Sequence, residues 1–509
     1  MNLIYKEIIF SKDNYRIPVF INDKAMHSKY APVKEAESFA LDSAKDCRFT
    51  IIAGLGGGYH IEQFLKRNPE NFVVAVEKSE EDIKFLSEIE CVKNLLKNKS
   101  VLIISQNRLF ETIIKNYLPQ FYGGLNLFFN RAWHDFNTDS ADYITETVNS
   151  ALSQCSKDIS VQSHFGLIWQ KNIIKNLKVL SNLKVEKFVI DNTKKAAVIA
   201  AGPSLDKTID IIKEKRNEYF LIATDTAFST IKKYKLKCDA VVSIDGQNIS
   251  HKHFIGQKDC GCIYVFDLQA NNNAVNYIKT FTDKIIFTKS GHPFCDYAEL
   301  NGLDNESFLH LKSGAGTVTI AAVDFASKCG FETVELFGAD FSYIFNKPYT
   351  RGTYLDSLYR INETKKTSAE SQFTNLIYRT PVKKSELESF NTTQIKTEVL
   401  NSYRESFIEW INSNNYCFTY DKMIYSIYLK KKEKREFVYS TPCFNFTKLT
   451  EAIKKDSETL QDINYKSPKD LNNLALSLLP LIANLKNTYK NQTFVESLKL
   501  ALTKILEYT

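Results

Sequence analysis

The chain is short of the residues that interrupt regular structure. Its 509 residues include 18 glycines and 11 prolines, about half the usual share of roughly 7% and 5%. That excludes a collagen-like, linker-rich or low-complexity protein. No apolar run approaches the roughly 18 residues of a membrane span, so no membrane contact is expected. The first twenty residues have no basic stretch followed by an apolar one, and no secretory leader is expected. The ten cysteines are scattered. Only Cys260-Gly-Cys262 is close-spaced, without a second pair or a His at zinc spacing. Reduced thiols, no metal site and a cytoplasmic protein are the expectation. Charge of one sign is also lacking. There are 66 basic and 59 acidic residues, a net charge of +7, too mild to imply nucleic acid but compatible with an anionic ligand. The one local basic excess, Leu429–Glu436, reads as a solvated face.

What is present is 44% hydrophobic residues, with 35 Phe and 26 Tyr, enough for large cores and, by length, for two to four domains. Because glycine is scarce, its placement is informative. Four glycines lie within 54–58, eleven within 202–352 and none in the 157 residues that follow. The fold class expected is α/β: two Rossmann-like doubly wound domains, over 1–160 and 161–405, then an α-helical region over 406–509.

The strands are read from short buried-type runs alternating with helical periodicity. FTIIAG, FVVAVEK and VLIIS carry the first domain. AAVIAAG, YFLIATD, CDAVVSID, CIYVFD, KIIFT and TVELFG carry the second. Apolar residues from Val161 to Leu183 (Val161, Phe165, Ile168, Trp169, Ile173, Leu177, Leu180) predict one amphipathic connecting helix. Ala315–Lys328 reads as a helix. In the tail, Ser467-Pro468 reads as a helix start, with Leu471, Leu474, Leu478, Leu481, Ile482 and Leu485 on one face. Phe494 to Tyr508 reads as another helix.

Candidate chemistry sits at strand ends. Gly54-Leu-Gly56-Gly57-Gly58-Tyr59 follows a strand and opens a helix, and Glu77 ends the next strand, the context of a nucleotide-binding βαβ unit. Tyr59 stands where G-x-G-x-x-G has its third glycine. An unoccupied scaffold fits as well as a ligand site. Gly202-Pro203-Ser204 forms a second such turn, an anion cradle at a helix start. Asp225 and Asp245 end the next strands, where a doubly wound sheet lines its crevice. Ser313-Gly314-Ala315-Gly316-Thr317 opens a further helix, and Asp340 follows TVELFG. Asp225 and Asp340 could equally cap helices or turns. Tyr343, Tyr349, Arg351 and Tyr354 could hold the leaving phosphate of a sugar nucleotide, or form a loop of stacked aromatics.

Trp169-Gln-Lys-Asn172 with Asn176, AAGPSLD, SIDGQ with His253, SGAGTV and FGADFSY together resemble the motility accessory factor (Maf) family of flagellin glycosyltransferases. The central domain of that family is similar to 6-hydroxymethylpterin diphosphokinase-like proteins and to bacterial sialyltransferases. The resemblance covers about 165–360. It implies transfer of a nonulosonic acid, pseudaminic or legionaminic, from a CMP-activated donor to Ser/Thr of flagellin, the acceptor partner. It places Gly202, Ser204, Ser313, Gly314 and Thr317 at CMP, Asp225 and Asp245 near nucleotide and sugar, and Tyr349 and Tyr354 at the leaving phosphate. Two departures stand out. Ala201 replaces the Asn that related sialyltransferases have before Gly-Pro-Ser, and no His follows SGAGTV to act as their base. Asp245 and Asp340 are the candidate bases, with His253 an earlier one. A pterin diphosphokinase and a non-catalytic flagellin-binding factor are the alternatives.

Overall fold

The structure is a computed structural model, and it describes residues 3–39, 47–257, 261–313, 316–387, 391–429, 436–460 and 468–509. The chain divides into two compact units, Met1–Leu167 with Asp456–Thr503 and Ile168–Lys455 with Lys504–Thr509.

The first unit opens with an antiparallel hairpin of β1 (Tyr5–Phe10) and β2 (Arg16–Phe20). Its main sheet holds β3 (Phe49–Ala53), β4 (Phe72–Glu77), β5 (Val101–Ser105) and β6 (Leu125–Phe129). All are parallel, in the order β5-β4-β3-β6. β3 is buried along its whole length, which is why it reads as an apolar run broken only by Thr50 rather than as an alternation. The order reverses between β3 and β6, so their carboxyl ends form the switch point of the sheet.

The second unit is built on nine strands. β8 (Lys195–Ile199), β9 (Tyr219–Thr224), β10 (Ala240–Ser243), β11 (Ile263–Asp267), β12 (Ile285–Lys289) and β13 (Leu309–His310) run outward on one side. β14 (Thr333–Phe337) lies on the other side of β8, parallel to it. The switch point is therefore between β8 and β14. The helix Val318–Lys328 packs its Ile320, Ala322, Val323 and Phe325 on the middle of this sheet. Two smaller pairs complete the unit, β7 (Lys187–Asp191) with β19 (Glu436–Ser440) and β15 (Lys383–Leu387) with β16 (Thr392–Lys396).

The expected α/β class is what the structure has, and all nine strands read from the sequence are present. Several details differ. The stretch expected to be helical from residue 406 begins instead with the helix Glu398–Ser413 and a hairpin. In that hairpin β17 (Cys417–Asp421) and β18 (Ile424–Tyr428) extend the nine-stranded sheet antiparallel to β14. CFTYD and IYSIY are aromatic and β-branched, and Lys422 and Met423 at their junction both have positive φ, the geometry of a tight hairpin turn. The helical tail starts at Phe446. The connecting helix is far longer than expected, Thr138–Leu180. Val161 and Ile168 of its expected apolar face are exposed, while Ile173, Ile174 and Leu177 are buried. The tail helix expected from Ser467 is broken into Pro468–Asp470, Asn473–Ser477 and Leu479–Thr488. Pro480 has no N–H to continue the ladder, so a new helix starts there. The apolar face is still buried as expected, from Leu474 to Leu485. The helix expected at Ala315 begins at Val318. Ser467, Cys260, Gly314, Ala315 and most of the basic run 430–435 lie outside the described residues. Among the described residues, no helix is long and apolar enough to cross a membrane, and no three His, Cys, Asp or Glu side chains group as a metal-ligand set.

Candidate functional site

In the second unit two turns meet at the switch point. Ala200 N–H donates to Phe337 O (2.8 Å), and Gly202 N–H donates to Gly338 O (2.8 Å). A Cβ on Gly202 would overlap Gly338 O and lie 2.5 Å from Asp340 Oδ2. Glycine is thus required by the close approach of the opposite backbone. Pro203 is buried, and Ser204 leads into the helix Leu205–Glu214. Ser204 N–H donates to Asp340 Oδ2 (2.9 Å). The helix start expected as an anion cradle therefore already holds a carboxylate. Burial pushes the Asp340 carboxyl up to about 6 against the pull of Ser204, with Asp206 adding a smaller upward push.

Sequence reasoning missed what stands beside Asp340. The β17–β18 hairpin brings Tyr420 and Tyr425 together, ring centroids 4.4 Å apart. Burial pushes the Tyr420 hydroxyl up to about 12, helped by Tyr425 and by the negative charge of Asp340. Nothing local in the sequence signals this, because the hairpin lies some 80 residues downstream and reads only as an alternating aromatic pair.

The other acidic candidates are engaged structurally. Asp225 starts the helix Asp225–Lys233 and is buried. Its Oδ1 accepts from Thr226 N (2.6 Å) and Thr226 Oγ1 (3.0 Å), and its Oδ2 from Ser243 Oγ (2.7 Å). It is the first residue of one helix and ties β9 to β10. Asp245 accepts from Gln247 N on Oδ1 (2.9 Å) and from Ser250 Oγ on Oδ2 (2.7 Å), closing its own turn. Asn172 and Asn176 brace the loops behind it. Asn172 Nδ2 donates to Gly246 O and Gln269 O, both at 3.0 Å, and Asn176 Nδ2 to Leu268 O and Ala270 O.

Thr317 caps the helix Val318–Lys328, its Oγ1 accepting from Thr319 N, and its N–H donates to Ser313 O (3.1 Å). This helix runs back from β13 into β14, so its start lies on the carboxyl edge of the sheet, the same edge as Gly202.

The segment after Asp340 separates the tyrosines. Tyr349 feels the charges of Tyr343, Tyr359, Tyr403 and Arg379. Burial and Tyr343 push its hydroxyl up to about 12, and Arg379 opposes them. Tyr354 instead meets His253, ring centroids 5.6 Å apart, with Lys252 Nζ 5.4 Å from its ring. Arg351 is largely exposed, its Nε 3.9 Å from Asp206 Oδ2. Asp206 is a second residue sequence reasoning passed over, although it stands inside AAGPSLD. It accepts from Thr350 Oγ1 (2.6 Å), Arg351 N (3.1 Å) and Lys347 Nζ (3.1 Å). Burial would raise its pKa, but these donors outweigh it and hold the carboxylate below the usual range.

In the first unit the turn Gly54–Gly58 also stands at the switch point. Here the crevice is filled from within. A Cβ on Gly54 would lie 2.6 Å from Trp133 Cβ. Gly57 N–H donates to His27 Nε2 (2.8 Å), and Leu55 N–H to Glu77 Oε2 (3.1 Å). Glu77 further accepts from Trp133 Nε1 (2.6 Å), Lys78 N (2.9 Å) and Tyr5 OH (3.1 Å). Burial pushes Glu77 up to about 7 despite those donors.

The family described as 6-hydroxymethylpterin diphosphokinase MptE-like matches residues 171–346. That span contains β8 to β14 and the Gly202–Asp340 switch point. Two curated proteins of Treponema pallidum (strain Nichols), both described as uncharacterized, are similar to this chain. One is 32% identical over 146 residues, 28% of this chain and 70% of that protein. The other is 36% identical over 143 residues, and the chain spans about half of it (49%). Among solved structures, that of the MAf glycosyltransferase from Magnetospirillum magneticum AMB-1 aligns over 100% of this chain and 86% of its own. The identity is 11% and the TM-score 0.47.

Proposed function

The chain belongs to the family of the Treponema pallidum protein of which it covers 70%, and on the motifs of its MptE-like central region we propose that it is a glycosyltransferase. It takes a nonulosonic acid of the pseudaminic or legionaminic type from a CMP donor. The acceptor is a Ser/Thr hydroxyl of flagellin. The observation that carries this reading is Asp340, a carboxylate with a pKa near 6 at the β8–β14 switch point, beside Gly202 and Ser204. The motif resemblance of AAGPSLD, SIDGQ, SGAGTV and FGADFSY names the donor and acceptor classes.

In the reaction the acceptor oxygen attacks the anomeric carbon, the bond from that carbon to the CMP phosphate oxygen breaks, and CMP leaves with the electron pair. Asp340 takes the proton from the attacking hydroxyl. A base of pKa near the working pH suits that transfer. Asp245 suits it less, with both oxygens occupied in its own turn. Gly202, Pro203, Ser204, Ser313 and Thr317 line the nucleotide side, with Asp225 bracing it from behind through Ser243, and Tyr349 and Tyr354 donate to the leaving phosphate as its charge develops. Arg351 is assigned no such contact, since it leans on Asp206.

Incubation with flagellin and CMP-pseudaminic or CMP-legionaminic acid should add whole sugar masses, read by intact mass spectrometry. No added mass with either donor would sink the reading. The MptE-like description favours a second reading, diphosphate transfer from ATP to a hydroxymethylpterin. ATP-dependent product would select it. Binding of flagellin without any heat from CMP in calorimetry would select a non-catalytic factor.

A further inference from the structure

The segment from Ile344 to Gly352 crosses the Gly202–Ser204 turn as a strap. Its Thr350 is fully buried, and Thr350 N–H donates to Ala201 O (2.9 Å). The strap is costly to hold. Lys347 N–H bonds Ile344 O (3.0 Å) across Phe345 and Asn346, whose φ angles are 55° and 53°. Two successive left-handed residues make a type I′ turn, and a bulky Phe there is strained. Such strain persists only where surrounding contacts enforce it. Past Arg351 the enforcement comes from the helix Asp225–Lys233. Thr230 Oγ1 donates to Arg351 O (3.1 Å) and Ser229 Oγ to Gly352 O (2.9 Å). Before Arg351 it comes from the first turn of the helix Leu205–Glu214. Lys207 Nζ lies 5.8 Å from the Phe345 ring, and one carboxylate gathers Lys347 Nζ, Thr350 Oγ1 and Arg351 N–H.

We infer that Asp206 is a positioning residue: its carboxylate pins the 344–351 strap to the helix that follows the glycine turn and thereby sets Tyr349 beside that turn. The inference rests on the glycosyltransferase reading for its consequence in catalysis, but not for the pinning itself. Lys347 and Arg351 lean on Asp206, which leaves Tyr349 as the strap's hydroxyl donor to the leaving phosphate. Misplacing such a donor by about 1 Å costs on the order of 100-fold in rate.

The test uses the full chain with Asp206→Asn, Lys347→Met, Tyr349→Phe and the Asp206→Asn/Tyr349→Phe double variant. Asparagine keeps one acceptor oxygen and nearly the same shape, and Lys347→Met leaves the carboxylate in place, so at least one variant folds. Hydrogen exchange of the strap amides should rise at least about tenfold in Asp206→Asn and less in Lys347→Met, with the helix Asp225–Lys233 unchanged. In transfer assays Tyr349→Phe should cost about tenfold in the wild-type background and under about twofold beside Asp206→Asn. A shared role makes the two losses non-additive. Strap exchange unchanged in Asp206→Asn overturns the pinning, and equal Tyr349→Phe losses in both backgrounds overturn the positioning of Tyr349. Absence of any transfer by the wild type fails the glycosyltransferase reading instead, and exchange alone then decides on the strap.

Discussion

Two glycine turns stand at two switch points, Gly54–Gly58 between β3 and β6 and Gly202–Ser204 between β8 and β14. Locally they are the same object, a buried strand, a turn that only glycine fits, and a helix start. They differ in what arrives from the neighbouring strand. After β6 comes Trp133, which lies against Gly54 and donates to Glu77. After β14 comes Gly338-Ala339-Asp340, which leaves a carboxylate of raised pKa at the crevice. The first turn is plugged by an indole and an imidazole, and the second is bordered by an acid and a strap. A glycine turn therefore announces a switch point, and what the opposite strand delivers, an indole in one case and a carboxylate in the other, sets what borders it.

The widest gap between the two turns should come from their acids. Asp340→Asn keeps an acceptor for Ser204 N–H, so the turn should survive while transfer falls about 10²–10⁴-fold, the usual worth of a general base. Wild-type transfer should rise with pH through about 6 as Asp340 ionises, and the variant should lose that rise. A pH profile flat from 5 to 8 in the wild type would remove Asp340 from the mechanism.

Glu77 should show the opposite pattern, stability without activity. Glu77→Ala leaves Trp133 Nε1 and Leu55 N–H without their acceptor and Tyr5 OH with only the weak acceptor Met26 Sδ, at about 1–3 kcal/mol for each buried orphan, and should lower the Tm clearly. The pH sign is set by burial. The carboxyl titrates near 7 when folded against 4.5 for the free group. Its contribution is full below about 4.5 and is lost as pH rises through 7. Thermal unfolding from pH 4 to 8 should show that decline, and Glu77→Gln should flatten it. Transfer per folded molecule should not change.

A smaller effect should follow from one methyl group at each turn. Gly202→Ala presses on Gly338 O and Asp340. It should lose about 1–3 kcal/mol of stability, the range for an overpacked site, and about tenfold in transfer. Gly57→Ala meets the Tyr59 ring and His27, and should lower stability in the same range with transfer intact. Equal transfer losses in both variants would end the distinction between plugged and open turns.

Most of the scaffold was legible because both-face burial writes a strand as a continuous apolar run. AAVI is such a run, FTIIA departs from it by Thr50 and TVELF by Thr333 and Glu335, and each became a central strand. The turns were legible because glycine is scarce and required where two backbones touch. What stayed hidden depends on partners distant in sequence. The capture of Glu77 by Trp133 spans 56 residues, and that of Lys347 by Asp206 spans 141. Arg351, a phosphate-ligand candidate by residue type, is largely exposed, and the sequence did not show that its Nε sits 3.9 Å from Asp206. The β17–β18 hairpin was hidden for another reason. It joins an edge of the sheet, where one-sided burial gives only alternation, and four to five alternating residues in a gly-free tail are not distinctive.

The smallest expected effect separates the two carboxylates of the second unit. Asp245 ends β10 as Asp340 ends β14, and by sequence either could be the base. Geometry gives them different work. Both Asp245 oxygens are taken, by Gln247 N and Ser250 Oγ, within five residues of their own chain. Asp245→Asn can keep the carbonyl acceptor for Gln247 N–H, while its amide turns a donor toward the Ser250 hydroxyl, which can accept. Such an exchange inside a local turn is worth about 1 kcal/mol or less. Transfer should therefore fall by under about fivefold, with no change in its pH dependence. A loss as deep as that of Asp340→Asn would transfer the base role to Asp245, and would mean that the acceptor hydroxyl approaches over β10 rather than over the β8–β14 switch point.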